Sequence, residues 1–493
     1  MRNLLKSINY KLTSIVLAAL LLAGAVCAFV FIKPAYAQKF VITGDVEKII
    51  EAQSFEGFAA YTAVRDGKSY RCLKLSDLIA LAKPYSEEST VVLKGDDALL
   101  AEVDIKSLEG MYIAYTAENA WECINYYHPP TSNIKRLSEV WVAAKNKTDA
   151  LAVNFITADK NVASYTPGQF FMHASGIAPF FEGKSTRDTE KGQFSVSAYT
   201  ERRYMDVSGI LPGAKQVLVM GDEGQYAFDS KPGRVELTGN SLSYVFSDGK
   251  KRMEDVRGVL ADPPAASNMD TYQESANFLD KGDRVLAFLV DGFGYNQYVY
   301  AKNNGFIPYI GTKEAKQATT VFMPVTPVGL SAILTGKPPY INGIYKRGMS
   351  DLKADDIFKY TADAGKKAAY IEGDIKIVNT SLAPELNADR NGDNSTDTEV
   401  FEAAKEALQG GADYIFVHFH GVDDKGHDNG DINPEVMQKA KEIDGYIKSL
   451  AEGFKGRVIV TADHGMHQAG TEGSHGAFCY EDMLVPYISF SNP

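Results

Sequence analysis

With 493 residues the chain exceeds what one ordinary core holds, so two or three domains are expected. Hydrophobic residues at 45% and charged residues at 23% are globular proportions and exclude a disordered chain. A formal charge of −12, with acidic residues spread along the chain, argues against a nucleic-acid-binding surface, because no basic stripe exists to displace counterions; anionic substrates would need metal ions to supply positive charge locally.

Arg2, Lys6 and Lys11 precede an apolar run from Ile15 to Ile32, and Pro34-Ala35-Tyr36-Ala37 follows it. Basic region, apolar core and A-x-A ending predict an export signal cut after Ala37. Roughly 18 apolar residues also suffice for an uncleaved membrane anchor, so residues 1–37 are read as signal or anchor. Either outcome makes the remainder extracellular or cell-surface. Cys27 does not fit a lipoprotein signal, since Val26 precedes it and the apolar run continues past it. Beyond the signal, Cys72, Cys123 and Cys479 form no C-x-x-C pair, which excludes a disulfide framework and a cysteine-based zinc site. Cys72 and Cys123 pair with each other or are simply small buried residues.

From Lys39 to about Pro263 the patterning is β-type and carries no chemical motif. Short apolar runs such as Thr90-Val91-Val92-Leu93 and Met111-Tyr112-Ile113-Ala114-Tyr115 are separated by Gly-Asp, Glu-Gly and Asp-Gly turn signals. A helix is expected at Lys74 to Ala82 with Ser76 as its cap. An internal repeat runs through this region. Tyr70-Arg71, Leu75–Ile79, Thr90–Leu93, the Gly95-Asp96-Asp97 turn and the strand ending Ile113-Ala114-Tyr115 are echoed by a second series. It consists of Arg203-Tyr204, Val207–Ile210, Gln216–Met220, Gly221-Asp222-Glu223 and Leu242–Phe246. Two related β-rich modules are therefore expected, at 38–147 and 148–262. The first, with His128-Pro129-Pro130 and Asn133-Ile134-Lys135 leading into Glu139-Val140-Trp141-Val142, is similar to the molybdopterin-binding fold of sulfite-oxidase-type proteins. Neither Cys72 nor Cys123 sits in a cofactor motif, so a cofactor-free scaffold or binding module is the reading, its partner unassigned.

Ala261-Asp262-Pro263-Pro264-Ala265-Ala266-Ser267 is a turn-rich linker, and a catalytic domain is expected over 268–493. Arg284–Val290, Ala368–Ile371, Asp413–Phe419 and Arg457–Thr461 are continuously apolar, as strands buried on both faces are. Helices fit Thr398–Gln409 and Pro434–Glu452, the latter with Asn433 as cap and Pro434 at its first position. Such alternation predicts an α/β fold with a parallel-rich sheet sandwiched by helices, whose ligands bind beyond the carboxyl ends of the strands.

Four clusters fall there: Asp291-Gly292-Phe293-Gly294, His420-Gly421-Val422-Asp423-Asp424-Lys425-Gly426-His427, Asp463-His464-Gly465 and Gly473-Ser474-His475-Gly476. Asp291, Asp423, His427, Asp463, His464 and His475 are too many ligands for one tetrahedral ion but suit two, zinc or manganese, about 3.5–4 Å apart. A lone Asp-Gly after a strand is ordinarily a turn, and Asp423-x-x-x-His427 alone is equally a solvated helix start; their joint occurrence favours metal. Alternation makes His418 and His420 point the same way, in a supporting role if any. In Pro324-Val325-Thr326-Pro327-Val328-Gly329-Leu330-Ser331, Thr326 is a good N-cap, and its hydroxyl meets the positive end of a helix. Beside a metal it becomes a nucleophile. Ser331 is the rival hydroxyl, but lies inside the helix.

In this order the motifs resemble the alkaline phosphatase superfamily, closest to its type I phosphodiesterase/nucleotide pyrophosphatase branch, over about Val285 to Tyr487. The resemblance implies that Asp291, Thr326, Asp463 and His464 surround one zinc, and Asp423, His427 and His475 the other. It implies a phosphoric ester hydrolase, phosphodiesterase or phosphatase, working through a phosphothreonine at Thr326. Phosphoryl or headgroup transfer on the same fold, or a cell-envelope binding protein with a vestigial hydrolase domain, are the alternatives. Asp424 is the near-equivalent of Asp423, and the spacing to His427 favours Asp423. Where nucleotide pyrophosphatases follow the threonine with Phe-Pro-Asn-His, this chain has Pro327-Val328-Gly329-Leu330, so Gly329 replaces the phosphate-binding amide. No sulfatase-type C-x-P-x-R occurs. Lys346 and Arg347 are the candidates for a phosphate-binding cation.

Overall fold

The computed structural model describes residues 38–146, 148 and 152–492; the expected export segment lies outside them. The chain divides after Asn146 into two compact units. No helix of the described residues is long and apolar enough to cross a membrane.

In the first unit, five strands run in the order Ile50–Ala52, Phe40–Gly44, Leu137–Ala144, Ser89–Gly95 and Leu100–Asp104. Four more form an antiparallel meander, Ala60–Arg65, Lys68–Lys74, Met111–Thr116 and Ala120–Asn125. The sole parallel pairing in these sheets joins Phe40–Gly44 to Leu137–Ala144. Alternation along the strands sends Phe40, Ile42, Val91, Leu93 and Val140 into one core with Trp121. Cys72 and Cys123 are buried free thiols, so they are small core residues and not a disulfide. The expected helix spans Leu75–Ala82, but Lys74 precedes it and no side chain caps it; the Ser76 hydroxyl instead donates to Asp77.

The second unit begins with the same plan. Its five-stranded sheet runs Asn161–Tyr165, Val153–Ile156, Val256–Ala261, Val217–Gly221 and Tyr226–Asp229, again with a single parallel pair, Val153–Ile156 with Val256–Ala261. Its meander starts with a long hairpin, Gly176–Thr189 and Gly192–Asp206, and continues through Arg234–Thr238 and Ser241–Val245. By sheet order the counterpart of Met111–Thr116 is therefore Arg234–Thr238, and the expected match to Leu242–Phe246 was one strand late. Ile156, Leu218, Met220 and Leu260 of this sheet share a core with Phe322, Phe478, Met483 and Leu484, so the second module is fastened to the C-terminal region.

The remainder is built on one eight-stranded sheet, in the order Ala266–Ser267, Ala315–Thr319, Leu484–Asn492, Gly456–Thr461, Val285–Val290, Tyr414–Phe419, Ala368–Glu372 and Glu385–Leu386. It is parallel except for Leu484–Asn492, which opposes both its neighbours. Val285–Val290 and Tyr414–Phe419 are buried at every residue, the reason their sequences are continuously apolar. The end of the expected linker, Ala266-Ser267, is drawn into this sheet as an edge strand. Helices span Asp397–Gln409 and Pro434–Glu452, and the Asn433 side chain caps the latter by accepting from Glu435 N. The register sets the site: Val290 pairs with Phe419, Leu289 with Thr461, and Ile371 with Val417. Neighbouring parallel strands thus end at one level, and the residues just beyond their ends are the chemical ones.

Candidate active site

Asp291 leaves the strand Val285–Val290 at that level and is buried. Gly292 turns the chain with φ +68°, and a Cβ there would lie 2.6 Å from Asp423 Oδ1, so only glycine admits the two carboxylates side by side. Asp291 presents Oδ1 to His464 Nε2 at 3.3 Å and to the Thr326 hydroxyl at 3.5 Å. Burial opposes its ionisation, but the contacts with His418, His420 and His464 hold it well below the usual carboxylate range. Asp463 is pushed the other way, up to about 7, by burial and then by the like charge of Asp291. Its Oδ1 accepts from Gly292 N at 3.3 Å, while Oδ2 is buried with no hydrogen-bond partner.

The imidazoles share one device. His464 Nδ1 meets the Gly465 carbonyl at 3.0 Å, His427 Nδ1 that of Gly473 at 3.3 Å, and His475 Nδ1 that of Pro324 at 3.1 Å. Donating from Nδ1, each ring turns its Nε2 into the site, where an ion can take it. The Nε2 atoms converge accordingly: His427 and His475 face each other at 3.2 Å, His427 Nε2 is 3.3 Å from Asp423 Oδ2, and His464 Nε2 is 3.3 Å from Asp463 Oδ2. Asp423 and His427 meet because they stand one turn apart on the helix Gly421–Asn429. Asp291, Asp463 and His464 offer ligand atoms within 4.8 Å of one another, as do Asp423, His464 and His475. With imidazole nitrogens facing one another and Asp423 Oδ1 and Asp463 Oδ2 buried without a hydrogen-bond partner, the donor set fits divalent metal ions.

Thr326 corrects one expectation. The helix Thr326–Thr335 has Val325 at its cap position, so Thr326 is the first helical residue and Pro327 the second. Its hydroxyl caps nothing and points instead to Asp291 Oδ1 and, at 3.3 Å, His464 Nε2. Ser331 bonds back to the Pro327 carbonyl, within the helix as expected. Gly329 explains the departure from the Phe-Pro-Asn-His pattern: a Cβ there would stand 2.3 Å from the Asp463 carbonyl oxygen, so no amide fits at this position. Arg347 reaches the site, its guanidinium 3.1 Å from His475 Nε2, whereas Lys346 lies over the Tyr345 ring. Burial, followed by the charge of His464, pushes His475 down to about 4. His467 stands apart, bound to Asp482 at 2.8 Å. Asp424 does not join Asp423 but lines a neighbouring cavity with His420, where burial pushes it up to about 6.

Sequence reasoning missed Glu372. It closes the strand Ala368–Glu372, is fully buried, and accepts from Gly373 N at 2.9 Å and the Tyr370 hydroxyl at 2.7 Å. His418 and His420 do point the same way, and both stand between Glu372 and Asp291. The signal was present: Glu372-Gly373 repeats the acid-glycine strand ending of Asp291-Gly292.

Residues 366–485 match the family model of type I phosphodiesterase/nucleotide pyrophosphatase, which agrees with the resemblance read from the motifs. Among curated proteins, the human GPI ethanolamine phosphate transferase 2 catalytic subunit is 25% identical over 234 residues, 42% of this chain and 23% of that protein. The chain thus spans less than a quarter of that relative's length. A phosphonoacetate hydrolase from Sinorhizobium meliloti is similar in structure at 20% identity and a TM-score of 0.31, over 37% of this chain and 56% of its own. Murine ectonucleotide pyrophosphatase/phosphodiesterase 5 is similar at 20% identity and a TM-score of 0.31, over 38% and 58% respectively.

Proposed function

We propose that this chain, whose C-terminal region carries a domain of the type I phosphodiesterase/nucleotide pyrophosphatase family within the alkaline phosphatase superfamily, is an exported two-metal phosphoric ester hydrolase with Thr326 as nucleophile. The observation that carries the reading is the Thr326 hydroxyl, uncommitted to capping and 3.3 Å and 3.5 Å from two ligand atoms. Two ions, zinc or manganese, held by Asp291, Asp463 and His464 and by Asp423, His427 and His475 would supply the charge that makes this hydroxyl an alkoxide and neutralises phosphoryl oxygens. The chain's own groups do the rest. Thr326 stands at the start of the helix Thr326–Thr335, whose positive dipole end favours the developing negative charge on the attacking oxygen. Attack forms the Thr326 Oγ–P bond and breaks the bond from phosphorus to the leaving oxygen; water then cleaves the phosphothreonine. Arg347, beside His475, is placed to bind a non-bridging oxygen.

Rapid acid quench with a labelled phosphate ester tests this. The label should stay on the peptide containing Thr326, and Thr326→Ala should lose about 10³-fold or more, roughly 4 kcal/mol in the barrier, while keeping its metals. Turnover of Thr326→Ala near the wild-type rate would overturn the assignment. A second reading, transfer to an alcohol acceptor, is favoured by the relative's name as an ethanolamine phosphate transferase. If transfer holds, an added alcohol acceptor takes phosphoryl or headgroup at the expense of the hydrolysis product; if hydrolysis holds, the product ratio ignores it. Export is tested at the N-terminus: the mature protein should lie outside the cytoplasmic membrane and, if processed, begin at Gln38.

A further inference from the structure

The core that joins the second β-rich module to the catalytic region takes two phenylalanines from beside the candidate site, Phe322 and Phe478. Phe478 stands three residues after His475, and Phe322 two residues before Pro324, whose carbonyl meets His475 Nδ1 at 3.1 Å. Both rings are buried, 5.9 Å apart between centroids. His475 and the acceptor that orients it thus each send an aromatic anchor into one module. Phe478 has a seat there. A Cβ at Gly258 would lie 2.2 Å from Cγ, Cδ1 and Cδ2 of the Phe478 ring alike. Points equidistant from three ring carbons lie on the axis through the ring centre, so the ring rests face-on against the Gly258 backbone. That backbone is hemmed in on both sides, since Gly258 pairs with Asn154 on one neighbouring strand and Met220 on the other. The first module supplies the comparison. Both modules shift register before a glycine, between Lys94 and Gly95 and between Met220 and Gly221. Lys94 pairs with Glu139 where Met220 pairs with Gly258, so Glu139 is the counterpart of Gly258. Glu139 keeps a full side chain, which accepts from Lys94 and Trp141. The copy that meets the candidate site has glycine at the one position where the Phe478 ring rests.

The structure assigns the second β-rich module a positioning role: Gly258 and Phe478 set the His475 loop, and Phe322 sets the Pro324 carbonyl, so that His475 Nε2 is aimed at His427 and Asp423. Gly258 and Phe478 are the positioning residues, acting through His475 and touching no reacting atom. The same module reaches the other side of that imidazole. Its turn Gly221–Gln225 accepts from Tyr340 N at the Gly224 carbonyl, at 3.3 Å, and a Cβ at Gly224 would lie 3.0 Å from Tyr345 Cβ. Tyr345 is two residues before Arg347, whose guanidinium is 3.1 Å from His475 Nε2. Two separate segments that meet at His475 therefore rest on one sheet. A metal tolerates little play in its ligands, about 0.2 Å in each bond. Disturbing the outer partner of a ligating histidine costs about 10–100-fold in affinity. The inference rests on His475 as a metal ligand.

Zinc titration of the full-length mature protein by calorimetry, with a competing chelator, tests the role. The ion at His475 is identified as the one that His475→Ala loses. In Gly258→Ala the ring must retreat by about 1 Å to reach ordinary contact at 3.4 Å. That ion should then bind at least tenfold more weakly, while the ion at Asp463 and His464 keeps its affinity. Gly258→Ala combined with Phe478→Leu, which makes room for the new methyl, should recover most of the loss. Val259→Ala is the control, because Val259 is the next residue of the strand and is buried on its opposite face. It should lower stability and leave both affinities unchanged. A folded Gly258→Ala protein that holds both ions as wild type does, or weakens both alike, would overturn the role. Should Gly258→Ala not fold, Phe478→Leu alone decides: the ion at His475 should weaken at least tenfold, and wild-type affinity would refute the seat. Failure of the two-metal reading looks different, since wild-type protein would then take up no ion that His475→Ala loses, and both readings would fall together.

Discussion

Gly329→Ala is the substitution on which the placing of the proposed nucleophile, Thr326, can be measured. In an ordinary helix interior, alanine is worth about 1 kcal/mol over glycine, so the replacement should stabilise. At Gly329 the new Cβ would lie 2.3 Å from the Asp463 carbonyl oxygen and 2.8 Å from the Asp463 Cβ. Ordinary contact begins at 3.4 Å, so helix and strand end must part by about 1 Å. Backbone cannot swing aside as a long side chain does, and overpacking of this size costs about 1–3 kcal/mol. The sign of the effect is therefore inverted. Parting also carries Thr326 away from Asp463 and His464, and a misplacement of about 1 Å costs on the order of 10²-fold in rate. Gly445→Ala is the control: Gly445 is exposed on the helix Pro434–Glu452 with nothing within 4 Å of its missing Cβ, and should gain stability by about 0.5–1 kcal/mol. Urea unfolding of both variants beside turnover of a chromogenic phosphodiester reads both effects. A Gly329→Ala protein as stable as Gly445→Ala, turning over at the wild-type rate, would refute the close approach and the argument for the missing amide.

Metal-stripped protein should lose stability as pH rises from about 6.5 towards 10. Burial opposes charging of His464, but Asp463 outweighs it and pushes it up to about 10. A raised imidazole contributes stability that is complete below its unfolded value near 6.5 and lost through its folded one. Metal-loaded protein, where an ion replaces that proton, should show no such decline in Tm; parallel pH profiles with and without chelator would contradict this. His475→Ala should lose one ion while His467→Ala, tied to Asp482, loses none, read by elemental analysis of the purified variants.

Much of the catalytic fold was legible because its strands are buried on both faces. Val285–Val290 and Tyr414–Phe419 can only be parallel interior strands, and Asn433-Pro434 marks a helix start by its own chemistry. The internal repeat was legible at Thr90–Leu93 and Val217–Met220, apolar runs followed by acidic turns. It failed at the meander, where pairing and not local sequence decides which strand comes next. Arg234–Thr238 alternates charged and apolar residues, and the more continuous Leu242–Phe246 drew the match. Thr326 misled by one residue for a similar reason. Threonine before proline has the chemistry of a cap, but Val325 takes the extended conformation that starts the helix, and the hydroxyl is drawn to Asp291 and His464 from across the sheet.

The candidate site shows where a strand-end rule reaches and where it stops. It found every residue that arrives at the level of Asp291 with an aspartate or a histidine in a recognisable cluster. It passed over Glu372 because Ala368–Glu372 is short and the acid follows Tyr370-Ile371 without a histidine beside it. Yet Glu372 lies in register with His418, since Ile371 pairs with Val417, so its position follows once sheet order is known. Sheet order is what a single sequence withholds: Ala368–Glu372 is adjacent to Tyr414–Phe419 only after a crossover of some forty residues. A carboxylate at such a depth is costly unless its donors are fixed. Here four donors converge on it, from Tyr370, Gly373, His418 and His420. That degree of satisfaction, in a residue joined to the Thr326 hydroxyl through the paired imidazoles and Asp291, marks Glu372 as part of the apparatus that orients Asp291 and not as an incidental buried acid.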